Sequence, residues 1–343
     1  MRSGYFFDAR VAVVPPLSHP ERRTILVEVV EGFTWRFGGG KAFGMVGKEH
    51  INGERKALMA AVGYNLDSLC YQNDLFLGLP LVLGAEASYE SSAGDSWADF
   101  RKGKGELLFG LRPHPDLTLE LLGRAEGYRF IGGTGLALAA DQGRALFLSC
   151  STGLEARTSI ALAPFVLGLS ARDFVSLVAI PGTGGSPIIP RVEGVETAIL
   201  ELDPAALAVQ ASFGAALPPG DEKLPLPLRF DLFANPDRSL RAGYDHGDLI
   251  AASFLLVNLE FRLRIIDIGF NPMLQVQAAP FVFADLALLD PLSGQGATAR
   301  KREAFGAGLR FGLANPVFAF FTLAWGTNLE GQGRLSFAGS AGF

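Results

Sequence analysis

From Asn258 to Arg264 every second residue is polar or charged, and each residue between is large and apolar. Side chains of an extended strand point alternately to its two faces, so this segment predicts a strand with one apolar and one charged face. The period recurs along the chain. In 117–130 the polar residues Thr118, Glu120, Arg124, Glu126 and Tyr128 oppose Leu117, Leu119, Leu121, Gly123 and Ala125. In 302–313, Phe305, Ala307, Leu309, Phe311 and Leu313 share one face, and Gly306, Gly308, Arg310 and Gly312 the other. At the end, Leu335, Phe337, Gly339, Ala341 and Phe343 oppose Ser336, Ala338 and Ser340. Together with turn signals such as Pro113-His114-Pro115-Asp116, Pro181-Gly182, Pro218-Pro219-Gly220-Asp221 and Asn235-Pro236-Asp237, this rhythm predicts strands near 41–47, 55–65, 79–90, 99–112, 117–130, 143–151, 157–168, 172–180, 194–202, 205–216, 226–234, 251–265, 273–289, 302–313, 316–327 and 332–343. That is about sixteen strands, an even number, with no long helical period after residue 40.

The beginning differs. Phe7 to Val14 and Thr24 to Val30 read as two strands, separated by Pro15-Pro16-Leu17-Ser18-His19-Pro20. Such a hairpin cannot bury enough surface to stand alone. Gly38-Gly39-Gly40 follows it, and we divide the chain there into an N-terminal part, 1–38, and an all-β domain, 39–343.

Composition narrows the β reading. Hydrophobic residues make up 49% of the 343 residues and the mean hydropathy is +0.26. Yet no apolar run reaches the roughly 18–20 residues of a transmembrane helix. Apolar content spread over many short alternating segments suits a soluble sandwich or a transmembrane antiparallel β-barrel. The barrel is favoured because the apolar faces are aliphatic and aromatic on strand after strand to the C-terminal Phe343. The opposite faces carry charges of both signs, able to pair across a lumen. Met1 to Tyr5 shows no charged stretch leading into an apolar one, so no signal peptide is read.

Candidate chemistry adds little. The net charge of −5 excludes a chain-wide basic footprint, and no nucleic-acid partner is expected. Cys70 and Cys150 are too far apart for a metal knuckle. His19, His50, His114 and His246 fall in expected loops without metal-ligand spacing, and the glycine clusters lack a phosphate-loop context. Neither an enzyme nor a cofactor is expected. The charges are more informative. Glu260, Arg262, Arg264 and Asp285 fall on polar strand faces; inside a lumen they are costly unless paired. Arg241 stands in the loop before the Glu260 strand. Either that loop folds inward and offers its guanidinium to Asp285 or Glu260, or Arg241 stays in solvent; spacing leaves both readings open.

The order of an Arg-Ala-Gly-Tyr loop (Arg241 to Tyr244), an Asn-Leu-Glu-Phe-Arg strand (Asn258 to Arg262), a Phe-Ala-Asp strand (Phe283 to Asp285) and a terminal aromatic strand resembles the BamA/TamA family of outer-membrane assembly factors, the bacterial surface antigen family. The resemblance implies a sixteen-stranded outer-membrane barrel preceded by POTRA domains, of which 1–38 would be a C-terminal remnant on the periplasmic side. It implies a loop-six latch of Arg241, Gly243, Tyr244, Glu260, Phe283 and Asp285, and a C-terminal assembly signal at Phe337 and Phe343. It also implies a weak seam between the last strand and the first, near 41–47. The expected partners are outer-membrane lipid, unfolded outer-membrane protein clients and accessory assembly proteins. A passive or translocating pore and an inactive fragment are the alternatives. Ala242 separates Arg241 from Gly243, the loop read as Asn235 to Leu249 is short for the family, and Pro280 implies a bulge or a locally missing ladder bond within its strand.

Overall fold

A computed structural model describes residues 6–14, 24–31, 35–39, 43–49, 56–63, 66–74, 76–92, 99–132, 144–181, 188–218, 224–233, 239–271, 274–291, 299–314 and 319–341. Two N-terminal strands, β1 (Phe6–Val14) and β2 (Thr24–Glu31), form their own antiparallel hairpin. The barrel follows, as β3 (Trp35–Gly39), β4 (Phe43–Glu49), β5 (Lys56–Gly63), β6 (Leu66–Asn73), β7 (Leu81–Ser92), β8 (Asp99–His114), β9 (Leu117–Gly132), β10 (Arg144–Leu162), β11 (Phe165–Ala179), β12 (Ile188–Leu202) and β13 (Ala205–Ala216). Two short strands, β14 (Phe230–Asp231) and β15 (Ile250–Ala251), pair with each other inside the next connection. The wall then resumes with β16 (Ser253–Leu263), β17 (Ile266–Asn271), β18 (Leu274–Leu289), β19 (Arg300–Ala314), β20 (Ala319–Thr327) and β21 (Gly333–Ala341).

Seventeen segments make the wall. β16 and β17 are halves of one strand, because both pair with β18: Arg262 faces Phe281, and Ile266 faces Ala278. One extra residue on the β16–β17 side makes a bulge. It lies opposite Ala279-Pro280, where proline has no N–H to give the ladder. The barrel therefore has sixteen strands. Ladders run unbroken from β3 the long way round to β21. Where β21 comes back beside β3, the ring is joined by its thinnest strand-to-strand junction among the described residues.

The expected number of strands arises from compensating differences. β3 and β6 carry too little alternation to be read, and the first barrel strand is Trp35–Gly39, not the segment near 41–47, which is the second. Trp35–Gly39, which begins within 1–38, pairs with β4 in the barrel wall. The segments read as 143–151 and 157–168 belong mainly to one strand, β10. The interval between those two segments holds Gly153, which is a packing glycine: a Cβ there would strike the Phe174 ring. The run 226–234 is no wall strand; it lies in the connection between β13 and β16.

The alternation separates the two surfaces. On β16, Leu255, Leu259, Phe261 and Leu263 are exposed on the outer face, while Glu260 is buried on the inner one. Outer positions elsewhere are held by Leu69, Leu107, Phe109, Leu121, Leu148, Val175, Leu177, Val282, Phe305, Leu323 and Trp325, all exposed. An apolar belt outside and charges inside invert the soluble arrangement and match a membrane-spanning barrel. One end has tight turns, at 115–116, 163–164 and 203–204. The other has the longer connections 133–143, 180–187, 217–252 and 290–299. β3 starts at the turn end.

Candidate functional site: a loop held inside the lumen

The connection 217–252 is the eleventh-to-twelfth strand loop, and it is far longer than the Asn235–Leu249 segment expected from sequence. Its apolar side chains face inward. Leu224, Leu228, Phe230, Leu232, Leu240, Ala242 and Leu249 are buried, and they pack on wall residues Phe254, Leu256, Phe281, Phe283, Ala287 and Leu289. This cluster is an apolar core inside the barrel. It explains why 226–234 imitates a strand in sequence: its spacing of apolar residues serves packing against the lumen wall.

Backbone and cationic contacts anchor the loop. Leu232 N–H donates to Leu249 O at 3.1 Å and Leu240 N–H to Leu232 O at 2.9 Å. Arg300 donates to the carbonyls of Asp248 and Ile250, at 3.1 and 2.9 Å. Arg334 on β21 donates to Phe233 O at 3.1 Å and lies 3.7 Å over the Phe233 ring.

At the centre is Arg241. Its Nη2 donates to Asp285 Oδ1 at 2.7 Å and its Nε to Oδ2 at 3.0 Å, a bidentate pair. Its backbone N–H also reaches Asp285 Oδ2, at 3.1 Å. Nη1 donates to Glu260 Oε2 at 2.9 Å. The guanidinium stands 3.8 Å over the ring of Phe283. The Asp285 side chain has 0% exposure, so both charges are withdrawn from water together. Burial by itself pushes the Arg241 pKa down; the hydrogen bonds and charge of Asp285, then of Glu260, outweigh it and raise it. Arg241 is a cation throughout the biological pH range.

The wall completes the cage. Asn258 donates to Asp285 Oδ1 at 2.8 Å and to Ser239 O at 3.3 Å. Glu260 receives Arg262 Nε at 2.5 Å and Arg310 Nη2 at 3.1 Å besides Arg241. Beside the cage the wall is bare. A Cβ on Gly326 would overlap the Arg241 carbonyl oxygen, and one on Gly306 would press on Trp325 O and the Phe283 ring. Sequence reading found Arg241, Glu260, Phe283 and Asp285, which the structure brings together. It missed Asn258 and Arg310 as cage members. The available signal was a lone charge, Arg310, among glycines on the inner face of β19.

Past Arg241, the loop tip meets the last hairpin. Gly243 N–H donates to Gln332 O at 3.1 Å. A Cβ at Gly243 would come within 2.7 Å of Gly333 O, so this close approach requires glycine. Ala242, the departure in the tip, is fully buried in the apolar cluster. Tyr244 lies apart from the cage: its hydroxyl donates to Glu303 O at 2.9 Å and accepts from Glu303 N–H at 3.2 Å. Phe337 sits in β21 opposite Leu323, and Phe343 lies outside the described residues.

The β7–β12 side of the lumen holds a cavity of about 460 Å³, lined among others by Glu86, Lys104, Glu106, Arg124, Arg172 and Glu193. Its charges are paired across strands: Lys104 to Glu86 at 2.7 Å, Arg124 to Glu106 at 2.7 Å. The two sides of the lumen thus differ, one filled by an apolar loop and one open and polar. None of these groups is arranged as nucleophile and base. The site's chemistry is that of holding a loop.

Sixteen antiparallel strands, an apolar outer belt and an inward-folded loop define a transmembrane β-barrel. Among solved structures, the chain is similar to BamA from Haemophilus ducreyi lacking POTRA domains 1–3, with a TM-score of 0.61 and 12% identity, over 99% of this chain and 76% of that one. It is also similar to CdiB from Escherichia coli (TM-score 0.57, 10% identity, 97% and 65% of the two chains) and CdiB from Acinetobacter baumannii (0.55, 11%, 97% and 64%). The chain spans under two thirds of the length of both CdiB chains. No protein-family profile matches it, and no curated protein matches it in sequence.

Proposed function

We propose that the chain is an outer-membrane barrel that inserts or translocates other polypeptides, acting at the junction of β21 and β3. The observation that carries this reading is the contact of the loop tip with the last hairpin, Gly243 N–H to Gln332 O. It links the Arg241–Asp285–Glu260 latch to the strand that forms the thin junction. A strand edge freed there presents unpaired N–H and C=O groups to an incoming strand, which adds by β-augmentation. The latch sets loop position and barrel shape and makes no covalent chemistry. The fold likeness to BamA and CdiB supports a client that is itself a polypeptide. On this reading the turn end faces the periplasm, residues before Trp35 are a POTRA-like remnant there, and Phe337 and Phe343 mark the strand recognised during assembly. Unfolded outer-membrane proteins are the clients, with accessory assembly proteins as partners.

The test uses cysteine pairs placed along β3 and β21, with Cys70 and Cys150 replaced by serine. The expected result is that oxidation stops insertion of an unfolded barrel protein into vesicles holding this chain, and that reduction restores it. Unchanged insertion by the locked barrel refutes the seam. The polar cavity on the β7–β12 side favours a second reading, a pore. A large steady bilayer current, unaltered by Arg241→Ala, identifies a plain channel.

A further inference from the structure

Three exposed arginines border the apolar outer belt at its loop end. Arg101, Arg129 and Arg144 lie on the adjacent strands β8, β9 and β10, on the same outward face as Leu107, Leu121 and Leu148. They are in direct cross-strand register: Arg101 faces Arg129, and Arg129 faces Arg144. Like charges set directly opposite one another are destabilising, and among the described residues no carboxylate pairs with any of the three. The register places Ser91 next in the row, opposite Arg101.

The depth of this row is set by the strands themselves. Leu111, Leu119 and Leu154 form a second row in the same register near the turn end, all exposed. The rows are ten residues apart on all three strands, about 33 Å of strand at 3.3–3.4 Å per residue. A tilt near 40° reduces that to about 25 Å of height, the thickness of the apolar band of such barrels. The arginines therefore stand just past the hydrocarbon at the loop end, where headgroups are. Beneath them the wall is shallow. Gly103 faces Gly127, Gly105 faces Ala125, and a Cβ at Gly103, Gly105, Gly123 or Gly127 would meet nothing within 4 Å. Tyr89, exposed and opposite Gly103, borders this trough, in the position that interfacial aromatics take.

We infer that Arg101, Arg129 and Arg144 form a docking site for an acyl lipid whose headgroup carries two or more phosphates, in the leaflet at the loop end. Charge complementarity selects the headgroup: guanidinium groups pair with phosphate bidentately. The row crosses two strand spacings, about 10 Å, which one phosphate does not span and a bisphosphorylated sugar does. The trough accommodates acyl chain below. The inference rests on the membrane-spanning fold and is independent of any action on client proteins.

The purified barrel in neutral detergent is titrated with bisphosphorylated diglucosamine acyl lipid, phosphatidylcholine or inorganic phosphate, and bound lipid is counted by native mass spectrometry. The parent is expected to hold the phosphorylated lipid about 100-fold more tightly than the variant Arg101→Gln/Arg129→Gln/Arg144→Gln, three basic groups contributing about fivefold each. The Arg→Lys triple variant, which keeps the charge and loses the bidentate pairing, is expected to bind with an affinity between those of the parent and the Gln variant. Single Arg→Gln variants carry the test if the triple variant does not fold, each weakening binding several-fold. Equal binding by parent and Gln variants, or equal affinity for phosphatidylcholine, overturns the site. Full displacement by millimolar inorganic phosphate reassigns it to free phosphate and overturns the lipid reading.

Discussion

Arg241→Ala tests whether the latch is a working part of the structure. Asp285 accepts four hydrogen bonds, three of them from Arg241 and one from Asn258. The variant removes the two from the guanidinium and leaves those from the Arg241 backbone N–H and Asn258. Hydrogen bonds to charged groups contribute about 1.5–3 kcal/mol each, and stripping one partner from a buried ion pair costs about 3–5 kcal/mol. Loss of the stacking on Phe283 adds up to about 2 kcal/mol. The loop has a way to limit the cost: by leaving the lumen it admits water to Asp285. The expected outcome is a barrel destabilised by about 3–5 kcal/mol in urea unfolding from lipid vesicles, with trypsin newly able to cut at Arg229. The double variant Arg241→Ala/Asp285→Asn removes both charges. It is expected to be less destabilised than the sum of the two single variants by at least about 2 kcal/mol. An interaction energy within about 0.5 kcal/mol of zero, together with an unchanged digestion pattern, would refute the latch.

Three further outcomes follow from the same geometry. Gly326→Ala, which drives a methyl group into the Arg241 carbonyl, is expected to reproduce the trypsin sensitivity at Arg229 with every charge intact. Asn258→Ala loses one bond to Asp285 and one to Ser239 O; it is expected to cost about 1–2 kcal/mol in urea unfolding, less than Arg241→Ala. Glu260→Gln leaves Arg241, Arg262 and Arg310 around a neutral group. It is expected to shift the urea midpoint more than Arg310→Gln, which leaves Glu260 two cations.

The legible part of this fold is what a period of two can carry. Strands β9, β13, β16 and β19 bury one face and show lipid the other, so their boundaries and faces stand in the sequence. β3 has five residues, two of them glycine, and β6 mixes polar residues into both faces; neither offers a period to read. Gly153 illustrates a different failure: a glycine that makes room for Phe174 looks in sequence like a glycine that makes a turn. In the candidate site, the parity of Glu260 and Asp285 assigned both to the inner face, and the resemblance supplied their pairing with Arg241. The size of the loop was hidden, because Leu228, Phe230 and Leu232 alternate as wall residues do while packing on the wall from within. The arginine row of β8–β10 was present in the sequence as three separate residues. Only the register between strands aligns them.

Arg241 lies upstream of every charged group it grips. Glu260, Asp285, the bare wall at Gly326 and the carbonyl of Gln332 all arrive later as the chain is threaded. The guanidinium has nowhere to go while the barrel is partial, since docking early would bury a cation without its anions. Closure thus acquires a chronology, wall first and loop afterwards. A chain stalled before β18 would be marked by a dangling, protease-accessible loop. The cage reports on completeness in two stages: a seated Arg241 records that β16 and β18 are in register, and the Gly243 bond to Gln332 records that the last hairpin has followed.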